Sequence, residues 1–138
     1  MEQVLDSPTP LISRTSRSLV WTGRVLTGLC VAFLLVDGIA KLVPLAPVIE
    51  ATHQLGYAVE VIRPLGILLV VSTLLHVVRR TQVVGALLLT AYLGGATATL
   101  VRVGSPCWFP VAMGAVLWAG LCLRNPRVRA LVLAPPAA

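Results

Sequence analysis

The feature that most constrains this 138-residue chain is a set of four long apolar runs, at about residues 19–43, 57–78, 81–101 and 103–123. The last two hold no charged side chain across about 21 residues each, and a helix of that length rises roughly 31 Å, the thickness of a bilayer's hydrocarbon layer. A soluble domain needs a charged shell, yet the chain is 57% hydrophobic and only 12% charged, with a mean hydropathy of +0.92. No polar stripe alternates through the third and fourth runs, so neither has a face for water. In lipid, helices satisfy their own backbone groups. The pattern therefore predicts an all-α, integral membrane four-helix bundle.

The segments between the runs give it organisation. Met1–Ser13 is polar and carries Pro8 and Pro10, which predicts a disordered tail over 1–18 before a single transmembrane domain at 19–130. A basic start followed by an apolar run also suits a signal peptide. That run, however, continues past the usual length without a clear small-residue cleavage site before Asp37. Pro44 and Pro47 end the first span. Pro47–Leu55, closed by Gly56, predicts a short interfacial helix between the first and second spans. Arg79 and Arg80 close the second span, and Arg124, Arg127 and Arg129 close the fourth, leaving 131–138 as a loose tail.

Four spans bring both termini to one side. Of the 11 cationic residues, Arg14, Arg17, Arg24, Arg79, Arg80, Arg124, Arg127 and Arg129 share that side, and Lys41, Arg63 and Arg102 lie on the other. The positive-inside rule makes the first side cytoplasmic. The net charge of +6 is thus spent on topology. It forms no basic stripe with interleaved aromatics, so no nucleic-acid partner is expected.

This orientation gathers the acidic residues. Of five in the chain, only Glu2 and Asp6 lie outside the outer end. Asp37 and Lys41 are four apart on one helix face, and Glu60 and Arg63 are three apart on another. Tyr92, Gly95, Thr99 and Arg102 follow helical spacing and form a stripe, with Ala91, Gly95, Ala98 and Thr99 small enough for a neighbouring helix to approach closely. Asp37 is short and deep, so it needs a cationic partner from Lys41, Arg63 or Arg102. Such a cluster suits a pocket for a lipophilic small molecule. Asp37 or Glu60 would act as acid or base there, and Lys41, Arg63 or Arg102 would hold a developing oxyanion. Tyr92, Thr99, His53 and the interfacial Trp108 are the ligand-binding candidates. The same charges also make sense as an ion-pair network that holds helix ends in register. A cavity walled by Asp37, Glu60 and Arg102 would favour the pocket, and a packed, fully paired cluster the network.

Cys30, Cys107 and Cys122 form no CxxC pair, and neither an HxxxH pair nor a Cys–His group appears, so no metal and no cofactor is expected. His76, beside Arg79, reads as an interfacial residue.

Several short segments resemble the DoxX-like membrane proteins. They are Asp37-Gly38-Ile39-Ala40-Lys41-Leu42, Leu65-Gly66-Ile67, Gly85-Ala86, Tyr92-Leu93-Gly94-Gly95-Ala96, Thr99 with Arg102, Trp118-Ala119-Gly120-Leu121 and Leu123-Arg124. The likeness runs over about residues 22–130. It implies a four-helix bundle in a bacterial cytoplasmic membrane and favours Asp37, Lys41, Thr99 and Arg102 as the polar site. The family takes its name from a subunit of a thiosulfate:quinone oxidoreductase, and other members are linked to redox-stress complexes. Two functions follow as expectations. One is a membrane-embedded protein that binds, and transforms by acid–base chemistry (isomerisation, epoxide opening or cyclisation) or assists in quinone-linked redox, a lipophilic molecule. The other is a non-catalytic subunit that scaffolds a larger oxidoreductase complex. A transporter is a weaker third reading, because four spans form no alternating pathway without oligomerising. The expected partners are the bilayer, the lipophilic molecule, and further copies or subunits.

Overall fold

Turn chemistry sets where the helices stop. The computed structural model describes residues 17–43 and 45–133, and among them are six helices and no strand. They are α1 Arg17–Leu42, α2 Ala46–Gln54, α3 Val59–Val77, α4 Gln82–Arg102, α5 Trp108–Arg124 and α6 Pro126–Leu133. The expectations for residues 1–16, Pro44 and 134–138 lie outside the described residues.

Helix α2 starts with Pro47 in its first turn, where the missing N–H is no loss, and ends where Gly56 takes φ +80°. Helix α5 departs from the expected run at 103–123. Gly104 adopts φ +69° and Pro106 disfavours helical backbone at Ser105, so α5 begins only at Trp108. Helix α6 was not expected. Asn125 Oδ1 accepts a hydrogen bond from the Arg127 backbone N–H at 3.1 Å, an N-cap, with Pro126 at the first helical position. Its Val128 is buried in the core.

Three helices, α1, α3 and α4, are long and apolar enough to cross a membrane, and α5, with 17 residues, is a shorter apolar helix. Their outward faces are apolar as well. Leu29 and Val36 on α1 are 67% and 68% exposed, and Ile67, Leu74, Val84 and Leu87 are exposed on α3 and α4. In water such a surface would aggregate, whereas lipid tails solvate it.

Helix α1 packs against α3 and α5, and α4 packs against the same two. Leu34, Leu69, Ala86, Leu89, Leu117 and Leu121 fill the centre. Glycines set the closest crossings, as expected where dispersion between close backbones, not the hydrophobic effect, joins helices. A Cβ at Gly66 would stand 2.9 Å from Lys41 Cβ and 3.0 Å from the Gly38 carbonyl. Gly23 and Gly120 play the same part between α1 and α5, and a Cβ at Gly85 would collide with the His76 backbone on α3.

Candidate functional site

Helix α4 carries Ala91, Gly95 and Ala96 on the side that faces the other helices, and these small side chains leave space. A Cβ at Gly95 would meet nothing within 4 Å. The expected close helix approach at this stripe does not occur, because the crossings are made elsewhere by Gly38 with Gly66 and by Gly23 with Gly120. The result is a cavity of about 470 Å³. Leu34, Asp37 and Lys41 of α1, Leu65 and Leu68 of α3, and Tyr92, Leu93 and Thr99 of α4 wall it, with Phe109, Pro110 and Met113 of α5. Thr52 of α2 and Leu55 just after it cover one end. Phe33, Leu68, Ala91 and Phe109 both line the cavity and are exposed on the outer surface, so it is not sealed from the surroundings.

The walls are mostly hydrocarbon, and the polar groups converge at one end. Lys41 Nζ donates to Asp37 Oδ1 at 2.5 Å, one helical turn apart. The Gly38–Gly66 crossing lies beside this pair and fixes the Lys41 stem against α3. Thr99 Oγ1 donates to the Gly95 carbonyl at 2.9 Å. Its hydrogen is therefore committed, so the 2.7 Å contact with Tyr57 is a hydrogen bond donated by the Tyr57 hydroxyl. Arg102 Nη2 donates to the Leu55 carbonyl at 2.9 Å. Two bonds from the end of α4 thus hold α2 and its following turn over the cavity. Tyr92 lies close enough to Asp37 and Tyr57 to interact electrostatically with both.

The structure gathers four of the sequence-predicted residues, Asp37, Lys41, Tyr92 and Thr99, on one cavity. It does not bring the others there. Glu60 and Arg63 are exposed and line a separate hollow of about 250 Å³ with Ile49, Val59 and Ile62, joined to the first only through Lys41. Arg102 is exposed and anchors α2. His53 is exposed on α2, one i, i+3 step from the exposed Glu50. Trp108 is 69% exposed and meets Phe109 edge-on instead of entering the cavity. The wall expected from Asp37, Glu60 and Arg102 is therefore built from Asp37, Tyr92 and Thr99. Sequence reasoning missed Thr52, Tyr57, Phe109 and Met113 as cavity residues.

Among the described residues no three His, Cys, Asp or Glu side chains come together to hold a metal ion. The three cysteines are unpaired. His76 departs from the interfacial reading and is fully buried, with Nδ1 3.0 Å from the Gln82 carbonyl.

An all-helical chain with three membrane-length apolar helices and an apolar outer surface is a small membrane protein. Residues 25–123 match the DoxX-like family, and the chain belongs to it. Comparison with curated proteins and with solved structures returned no match.

Proposed function

We propose that this protein binds a lipophilic small molecule in the cavity between α1, α3, α4 and α5. The observation that carries the reading is the cavity's composition. An apolar hollow of about 470 Å³ carries one ion pair and the hydroxyl groups of Thr52, Tyr57, Tyr92 and Thr99, the form expected of a site for a mainly hydrocarbon ligand with a polar head. The head rests among Asp37, Lys41 and Tyr92, and the body lies against Leu93, Phe109 and Met113. The ligand enters from the lipid, past Phe33 and Phe109. In this reading α5 crosses with α1, α3 and α4 as a four-span bundle. The arginine-rich ends face the cytoplasm of a bacterial inner membrane.

The polar end also suits acid–base chemistry. Asp37 removes a proton from carbon beside a carbonyl of the ligand, Lys41 or Tyr92 donates a hydrogen bond to the oxygen that gains charge, and the proton returns at another carbon. That sequence is an isomerisation, and it consumes no external reagent.

One observation favours the scaffold reading. Lys41 already pairs with Asp37, which satisfies both charges without a ligand. The two readings separate on purification from native membranes, followed by solvent extraction and mass spectrometry. The binding reading expects one lipophilic species enriched over bulk lipid, and lost in Asp37→Asn. Bulk lipid alone, with unchanged assembly of Asp37→Asn into a larger complex, supports the scaffold.

A further inference from the structure

The arginine-rich end of the molecule holds a second cluster, far from the cavity. Arg24 of α1 and Arg79 just after α3 are both electrostatic neighbours of Arg124 at the end of α5, and Arg124 is the charged neighbour of His76. The close crossing of α1 and α5 brings this about. A Cβ at Gly23 would lie 3.2 Å from Arg124 Cγ, so the Arg124 stem runs over the bare backbone of α1. Its head is then held inside. Nε and Nη2 of Arg124 are buried with no protein partner, and so is Nε2 of the fully buried His76. The Gln82 carbonyl can only accept, which places a hydrogen on His76 Nδ1 and leaves Nε2 for something else.

Buried guanidinium nitrogens without acceptors are costly, and like charges beside them add to the cost. Among the described residues the carboxylates are Asp37, Glu50 and Glu60, all at the other end. The positive-inside rule accounts for arginines on this side, but exposed snorkelling arginines would satisfy it. It does not account for the buried, unpartnered nitrogens of His76 on α3 and Arg124 on α5 lying beside two further cations.

We infer that Arg24, Arg79, Arg124 and His76 form a binding site for an anionic phosphate group. Guanidinium forks match phosphate oxygens, and basic pockets between helices at this side of a membrane suit lipid headgroups. Arg124 Nε and Nη2 bind two oxygens from below, His76 closes the floor, and Arg24 and Arg79 cover the phosphate from the water side. The phosphate comes either from an anionic lipid or from solution.

Native mass spectrometry of the full chain in dodecyl maltoside tests this, with phosphatidylglycerol in one arm and inorganic phosphate in the other. One arm should give saturable binding of one molecule per chain. Arg124→Gln and Arg79→Gln should each weaken it at least tenfold, and the exposed Arg127→Gln should leave it unchanged. The arm that saturates identifies the source. Arg79 is exposed, so its variant keeps the test open if Arg124→Gln fails to fold. Saturable binding in neither arm, or an equal loss in Arg127→Gln, overturns the site, since the second result would describe a diffuse basic surface.

Discussion

The Tyr57 hydroxyl donates to Thr99 Oγ1 across 2.7 Å, and so ties the segment after α2 to the last turns of α4. Thr99 in turn is held to the Gly95 carbonyl, and the last two turns of α4 act as one clasp with Arg102 on Leu55. The lid over the cavity is a fastened element. Tyr57→Phe and Thr99→Val should each lower stability by about 1 kcal/mol, the typical net value of such a bond. In thermal unfolding in detergent the double variant should lose less than the two losses added together.

The ion pair behaves as a unit. Asp37→Asn or Lys41→Met alone leaves one charge without its partner in a half-buried site, and each should cost about 1–3 kcal/mol. Asp37→Asn with Lys41→Met removes both charges and should recover most of that stability. Ligand retention should stay lost in the double variant, which separates a binding role from a stabilising one. Recovery of both together would reduce the pair to a structural device.

The glycines divide into two groups that behave oppositely. Gly66→Leu drives a side chain into Lys41 and the Gly38 carbonyl and should cost about 1–3 kcal/mol or more as the crossing opens. Gly95→Leu meets open space, so it should keep or raise stability by relieving a helix-interior glycine. It fills the cavity, however, and should abolish retention of the lipophilic molecule. Unfolding curves and extracted-ligand yields for the two variants provide the check.

How far the sequence reached depended on distance along the chain. The i, i+4 step from Asp37 to Lys41 and the stripe from Tyr92 to Thr99 are helical geometry, and both were legible. Glu60 and Arg63 shared a face equally clearly, but helical spacing says nothing of where that face points, and it points to a second hollow. Tyr57, Phe109 and Met113 reach the cavity only through contacts between helices, which no local pattern records. The cavity was the hardest feature to foresee. A run of glycine and alanine marks equally a close crossing or a gap, and which of the two occurs depends on where neighbouring helices already touch. The start of α6 was legible in Asn125-Pro126 and was overlooked in favour of the arginines that follow.

Orientation is open to a separate check. In a Cys107→Ser background, Glu50→Cys on the exposed side of α2 should react with a membrane-impermeant maleimide added from the periplasmic side and stay protected from the cytoplasmic side. The reverse pattern would contradict the assignment of the arginine-rich end to the cytoplasm.

The central claim is that the cavity holds a particular lipophilic molecule, and photo-crosslinking in living membranes tests it most directly. A benzophenone amino acid replaces Leu88 or Ala96, which line the cavity, and in a parallel strain Leu87, which faces outward. The account predicts one defined small-molecule adduct at Leu88 and Ala96, lost when Gly95→Leu is added, against a mixture of bulk phospholipid at Leu87. The same bulk lipids at all three positions would contradict it.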